Sequence, residues 1–372
     1  MARGLYAYAF VEDFVLLYPV YAILFADHGL SDAQISSLFA IWSATAVLLE
    51  IPTGLWADSV SRRLLLTIAP LPVAAAWALW TLTPCYLSFA LGFVLWGVAG
   101  SLRSGTLQAL VYEELAALDS TADYARLIGR SQAASTTAAT VATALAAPVL
   151  AVGGFPAVGL ASIAATLLAV PVALTLPETR ARPARRRGDA AGVLRDGLAQ
   201  LRRGPVLRHR LLVLSVLLGM SALDEYVPLL ADATGAGAVA VPLLVLVVSC
   251  GTAAGGWLAG RGMRWTAPVL AVAAGCLALG AASGEPAGLV LVAVAFGVLQ
   301  WAQAAAEARL QDTVEDSARA TVTSVAGSGS EVVSVLLYGG WALGSAAVGP
   351  GPLMALAAAP CLGLAWALRR RD

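Results

Sequence analysis

The side chains best equipped for chemistry in this chain are acids and one arginine set inside long apolar runs: Glu12, Asp13, Glu50, Arg103, Asp224, Glu225 and Glu331. An ionised group at the centre of a membrane helix costs roughly 2.5–3.5 kcal/mol on insertion scales, so each of these residues needs a task or a partner. Counted from the expected helix ends at about 1.5 Å per residue, Glu12, Asp13, Glu50 and Arg103 share one layer. One arginine facing three acids leaves at least one carboxyl favouring its protonated form, because like charges resist joint ionisation and burial penalises charge. Such a group takes up and releases a proton as water reaches it from alternate sides. The competing reading of the same residues is a fixed ion-pair network tying three helices together. Glu331 falls about 11 residues into its run, roughly 16 Å deep, on a face shared with Thr323 and Gly327 at four-residue spacing.

Those positions require a bilayer around them. Hydrophobic residues make up 59% of the chain and charged ones 12%, and mean hydropathy is +0.80. Soluble domains run near roughly 45–50% apolar and 25% charged. At about 20 residues per crossing, 372 residues hold about a dozen helices and no separate soluble domain. Apolar windows and turn residues place the crossings near 5–26, 33–56, 64–83, 86–112, 125–151, 156–177, 209–231, 238–260, 266–283, 287–310, 320–347 and 352–368. With the N-terminus inside, the arginines of every connection fall on the inner side and the outer connections carry none, a positive-inside pattern. The arrangement expected is an all-α membrane protein of about 12 transmembrane helices, with both termini cytoplasmic. Its domains are a bundle over 1–177, a cytoplasmic linker over 178–208 that begins with PETRARPARRRGD, and a bundle over 209–372. The basic linker suits an anionic leaflet better than nucleic acid.

The halves echo one another. VEDFVLLYP in the first segment parallels LDEYVPLL in the seventh, GLWAD parallels GWLAG, and LWGV in the fourth parallels AFGV in the tenth. Three echoes in one order predict two pseudo-symmetric six-helix bundles, an arrangement that puts a cargo site near the midplane between them.

Much chemistry is excluded. All 23 basic residues are arginine, so neither a Walker A loop nor a lysine Schiff base can form. His28 and His209 are the two histidines and cannot build an HExxH zinc site. Cys85, Cys250, Cys276 and Cys361 form no CxxC pair and read as reduced packing residues. No cofactor, no metal and no enzyme activity is expected. The first segment carries Glu12 and Asp13 and lacks a basic leader and cleavage site, so it reads as a retained helix.

The stretch GLWADSVSRR at 54–63 resembles the signature loop between helices 2 and 3 of the major facilitator superfamily. Gly54, Ala57, Asp58, Arg62 and Arg63 match it position by position, while Ser61 stands where the family has a second glycine. EIPTG at 50–54, SGTLQALVYEEL at 104–115, LPET at 176–179 and RATVTS at 319–324 resemble the same family. The GP-containing signature of helix 5 in many antiporters is not recognisable. In its place Ser131, Ser135, Ala139, Thr143 and Ala147 form a small-residue face suited to close packing.

The resemblance implies a secondary transporter working by alternating access. The loop with Gly54, Asp58, Arg62 and Arg63 would be a cytoplasmic gate; a topology-setting charged turn is the alternative. Glu307 and Arg309 could form an inner latch. Tyr18, Tyr21, Gln108, Tyr112, Gln300, Trp301 and Gln303 could contact the cargo, although aromatic residues in membranes also serve as interface anchors. The partners expected are a small-molecule substrate, protons and the lipid bilayer, around a monomer in a bacterial inner membrane. Resemblance favours proton-coupled efflux of an amphipathic compound. Proton-coupled uptake and a non-transporting membrane sensor are the alternatives.

Overall fold

The computed structural model describes residues 1–57, 60–179, 204–262, 265–314 and 319–369, with the backbone alone over 50–57 and 319–321. Among the described residues every regular element is helical, and the contacts group into two compact units, one within Met1–Arg186 and one within Arg187–Asp372.

The first unit contains α1 (Ala2–Asp13), α2 (Tyr21–Asp27), α3 (Asp32–Ala57), α4 (Arg62–Ile68), α5 (Pro70–Leu82), α6 (Tyr86–Arg103), α7 (Thr106–Ala117) and α8 (Tyr124–Leu174). The second contains α9 (Pro205–Gly219), a 3-10 segment (Met220–Tyr226), α10 (Val227–Ala233), α11 (Val241–Trp257), α12 (Thr266–Ala282), α13 (Gly288–Gln311), α14 (Arg319–Gly344), α15 (Pro350–Leu356) and α16 (Ala358–Arg369). Among the described residues seven helical stretches, the first Asp32–Leu49 and the last Pro350–Arg369, are long and apolar enough to span a bilayer, and α11 and α12 are shorter apolar helices.

Several expected crossings are interrupted, and the sequence supplies a reason for most. The first, 5–26, is helical over α1 and α2 but leaves the helix at 14–20. Pro19 lies there, lacks an N–H and clashes with the carbonyl four residues before it. The fourth, 86–112, breaks at Ser104 and Gly105, where Gly105 has a φ of 67° that a side chain would strain. The seventh, 209–231, tightens into the 3-10 segment ahead of Pro228. The twelfth, 352–368, is divided at Ala357.

By contrast, the fifth and sixth, 125–151 and 156–177, run on as α8 through Gly154, whose φ of 62° and ψ of −166° leave the helical region. A straight helix of 51 residues would reach about 76 Å, far beyond a bilayer core of about 30 Å. The break at Gly154 therefore divides α8 into two crossings.

Packing differs between the units. In the first, Trp77, Trp80, Phe25, Phe39, Phe89 and Phe93 are fully buried together. The indole N–H of Trp77 donates to Thr166 Oγ1 and that of Trp80 to the Phe89 carbonyl, both at 3.1 Å, which satisfies the polar edge of each ring. In the second, α11 lies backbone to backbone on α13: a Cβ at Gly251 would strike the Ala293 carbonyl, and one at Gly255 the Gly297 carbonyl. Small residues four apart permit that approach. The LWGV and AFGV echo has the same meaning in both units, since Gly97 admits Thr45 of α3 as Gly297 admits Gly251 of α11.

Gly255→Val should therefore destabilise the purified protein in detergent by about 1–3 kcal/mol or more. Gly256→Ala is the control, because its Cβ would meet nothing nearer than Gln300 Cγ at 3.9 Å, and it should leave thermal unfolding unchanged or slightly raised. Equal behaviour of the two variants would remove the seam between α11 and α13 as a determinant of stability.

Candidate functional site

Glu12 and Asp13 end α1, where the partial negative charge of the helix dipole adds to their own. Arg103 ends α6, where the same dipole welcomes a cation. Its guanidinium Nη1 pairs with Glu12 Oε1, and both side chains are largely enclosed. Asp13 accepts the hydroxyl of Ser135 from α8. Past the helix end the Leu17 N–H donates to Ser162 Oγ at 3.0 Å, and Ser162 is fully buried. Thus the two acids and a freed amide of this break all find partners inside the first unit. Arg103 Nε is buried without a hydrogen-bond acceptor among the described residues.

The second unit repeats the interruption with other chemistry. Asp224 and Glu225 lie in the 3-10 segment, Asp224 exposed and Glu225 half-buried. A carboxylate exposed at membrane depth has to look into water rather than acyl chains. Tyr226 is fully buried and stacks on Trp341 of α14, with centroids 3.8 Å apart and planes at 14°. Tyr338 of α14, also buried, sits in the field of Asp224, Glu225 and Glu331. Gln303 of α13 donates to the Leu217 carbonyl at 2.8 Å and to Ser221 Oγ at 2.7 Å, and Ser334 donates to the Gly219 carbonyl at 3.4 Å. The arginines described in this unit, Arg208, Arg210, Arg261, Arg309, Arg319 and Arg369, stand within two turns of a helix end. Among the described residues no group of three His, Cys, Asp or Glu side chains converges as a metal site.

A third cluster gathers at the arginine-bearing end of the first unit. Ser61 Oγ caps α4 by accepting the Leu64 N–H at 3.0 Å. The Glu178 carboxylate completes the cap: it accepts the Ser61 hydroxyl, the Arg62 N–H at 2.6 Å and, more distantly, the Arg63 N–H at 3.5 Å. Arg62 pairs with Glu113 of α7 at 2.9 Å. Glu114, nearly buried, accepts the Thr179 N–H at 2.6 Å and its hydroxyl at 2.7 Å. Thus the arginines of GLWADSVSRR, the acids of SGTLQALVYEEL and the LPET stretch meet in one network. Asp58 lies outside the described residues, as does the side chain of Glu50, and Gly54 lies in the stretch described by its backbone alone.

The remaining candidates divide. Tyr18 stacks on Trp96 at 5.5 Å and 13°, and Trp96 in turn stacks on Trp42 at 4.8 Å and 19°; Tyr18 and Trp42 are partly exposed. Tyr21 is buried among Phe25, Phe39, Trp80 and Phe93, a packing role. Gln108 is exposed, as is Tyr112, which meets Tyr124 edge-on at 5.6 Å. Gln300 is half-buried beside Gly256. Trp301 donates to the Arg261 carbonyl at 2.9 Å and so ties α13 to the end of α11. Glu307 and Arg309, two apart on α13, do not face each other; Glu307 is exposed, and Arg309 donates to Thr266 at 3.5 Å.

Sequence reasoning missed Ser135 as a partner for Asp13, Ser162 and Gln303 as partners for freed backbone, and Glu113, Glu114 and Glu178 as a network. The last three stood in stretches already marked, but nothing in one sequence says which acid closes on which helix end.

The sequence profile described as Major Facilitator Superfamily matches residues 7–338. No curated protein matches the chain by sequence. Among solved structures it resembles the nucleoside transporter NupG at 14% identity and a TM-score of 0.76, covering 99% of this chain and 98% of that one. It resembles a D-xylose-proton symporter at 14% identity and a TM-score of 0.72, covering 100% and 96%. A bacterial homolog of the human lysosomal transporter Spinster, inward-facing and unoccupied, has 15% identity and a TM-score of 0.70, covering 99% and 92%.

Removing Arg103 alone should cost more than removing the whole pair. Arg103→Gln strands the Glu12 carboxylate and is expected to cost about 2–3 kcal/mol, below the ~3–5 kcal/mol of a fully buried pair. Adding Glu12→Gln should restore most of that loss. Thermal unfolding of the two single variants and the double in detergent measures it; strictly additive losses would mean that the two side chains are not coupled.

Proposed function

The chain belongs to the major facilitator superfamily, and from that membership and the placement of its membrane acids we propose a proton-coupled secondary transporter that moves a small molecule by alternating access. The observation that carries the proposal is the mirrored interruption: in each unit the first crossing leaves the α-helix beside a pair of carboxyl groups. Backbone departs from helix at membrane depth only where protein buries it or water reaches it, and interrupted helices of this kind form ion and substrate sites in transporters.

Within that reading the acids have different tasks. Glu12 is held by Arg103, a cation that does not release its proton, and serves as a fixed charge. Asp13, with a neutral hydroxyl as partner, and Asp224 and Glu225, in a unit whose described arginines stand near helix ends, are the exchangeable proton carriers; Glu50 and Glu331 are further candidates. The network of Arg62, Arg63, Glu113, Glu114 and Glu178, with Asp58, works as the cytoplasmic gate in a monomer of a bacterial inner membrane with both termini inside, an orientation supported by the arginine distribution.

Efflux of an amphipathic or cationic compound is the direction we favour. The stack of Tyr18, Trp96 and Trp42, partly exposed at Tyr18 and Trp42, offers a flat apolar surface, and aromatic faces suit organic cations. The second reading is uptake by proton symport, which the likeness to a structure named a D-xylose-proton symporter favours.

The test is flux in proteoliposomes under an imposed pH gradient, with cargo and internal pH followed together across cationic lipophiles, nucleosides and sugars. Wild-type protein should move one class with an accompanying proton movement whose sign gives the direction. Asp224→Asn or Glu225→Gln should lower driven flux about tenfold or more while downhill exchange persists, since exchange needs the cavity but not proton release. If Asp13→Asn, Asp224→Asn and Glu225→Gln all pump normally, the carriers lie elsewhere; binding without flux would favour a sensor.

A further inference from the structure

Gln303 is 7% exposed and lies mid-helix in α13. The two groups that its amide nitrogen reaches, the Leu217 carbonyl and Ser221 Oγ, flank the junction between α9 and the 3-10 segment. In a continuous α-helix the Leu217 carbonyl would accept the Ser221 N–H, four residues on. The Gln303 amide bonds that same carbonyl and holds the Ser221 side chain with the same nitrogen. It is therefore the group with which a rewound helix would compete. Pro228 denies an α-helical donor only to the Asp224 carbonyl, so the turn before Asp224 is free to rewind.

The geometry makes this consequential for the carboxyl groups. A 3-10 helix turns about 120° per residue and an α-helix about 100°. Over the four steps from Met220 to Asp224, rewinding turns Asp224 by about 80°, and Glu225 one step later by about 100°. In the 3-10 form both acids act electrostatically on Tyr338 of α14, as Glu331 does from the same helix. The first unit lacks the device: its break holds Pro19, and there a buried acceptor, Ser162, takes up a freed N–H.

We infer that Gln303 is a positioning residue for Asp224 and Glu225: its hydrogen bond to Leu217 holds their segment in the 3-10 form, and its release lets the helix rewind and turn both carboxyl groups away from Tyr338. This rests on the reading of Asp224 and Glu225 as proton carriers. The titratable group they act on from the packed element is Tyr338 of α14, and the other groups acting on that tyrosine are Glu331 of α14 and Tyr226 of their own segment.

The experiment compares wild type, Gln303→Leu and Ser221→Ala by two readouts: amide hydrogen exchange over 217–226 in detergent, and the pH dependence of gradient-driven flux in proteoliposomes. Gln303→Leu should change exchange over 217–226 while α11 and α12 keep theirs. It should also lower driven flux about tenfold and move its pH midpoint by about half a unit or more, a shift that loss of packing alone would not give. Ser221→Ala, which keeps the Leu217 bond, should move both readouts in the same direction by less, and it carries the test if Gln303→Leu does not fold. Unchanged exchange over 217–226 together with an unchanged pH midpoint would overturn the inference. Altered exchange in a protein whose wild type shows no driven flux would keep Gln303 as the clamp of the segment and reject the proton-carrier reading instead.

Discussion

A carbonyl or amide that leaves its helix inside a bilayer has no water to turn to, and in this chain the break beside each pair of acids, Glu12 with Asp13 and Asp224 with Glu225, brings a side chain from elsewhere to meet it. At the first break the freed Leu17 N–H finds Ser162, and at the second the Leu217 carbonyl finds Gln303. This requirement decides which residues become neighbours. Ser162 and Gln303 are buried because a backbone group needs them, and aromatic or glycine packing then closes around the contact.

The same rule applied to charge separates the units. The acids of the first break have an arginine and a hydroxyl at hand, and the C-terminal end of α6 steadies the arginine further. Those of the second sit among tyrosines and a tryptophan, with the unit's described arginines confined to helix ends. A fixed cation makes a carboxylate permanent; a surrounding of hydroxyl and indole groups leaves it free to gain and lose charge. Two breaks of the same form thus stand in different electrostatic surroundings.

Much of this was legible in the sequence, and what was not has a physical cause. Composition and arginine spacing reveal the bilayer, and the echo of VEDFVLLYP in LDEYVPLL marks the two places where the first crossing of each unit fails. Depth counting brings Arg103 level with Glu12 and Asp13, but cannot choose between them, because that depends on the rotation of α1 against α6. The breaks themselves read as continuous helix in the sequence, since apolar text runs on through Leu16 and Leu17 at the first and flanks the second with Leu217 and Leu218 before it and Val227 and Leu229 after it. Only Pro19 and Pro228 speak against continuity there. Gln303 looked like a ligand contact because a buried amide in an apolar run has two explanations, and one sequence does not say whether a carbonyl lies opposite.

The two breaks are patched from opposite ends of the peptide bond, one by an acceptor for its N–H and the other by a donor for its C=O. If the units descend from one duplicated ancestor, the trait inherited in common is a shape of the main chain, and the side chains that make it tolerable were found separately in each copy. Kinship between the halves would then be understated by comparing letters, because the letters holding the shared bend have no reason to agree. A chimera that paired one half's bend with the other half's patch would need the Ser162 hydroxyl to donate and the Gln303 amide to accept, the reverse of what each does for the main chain here, and the halves are in that sense no longer directly interchangeable parts.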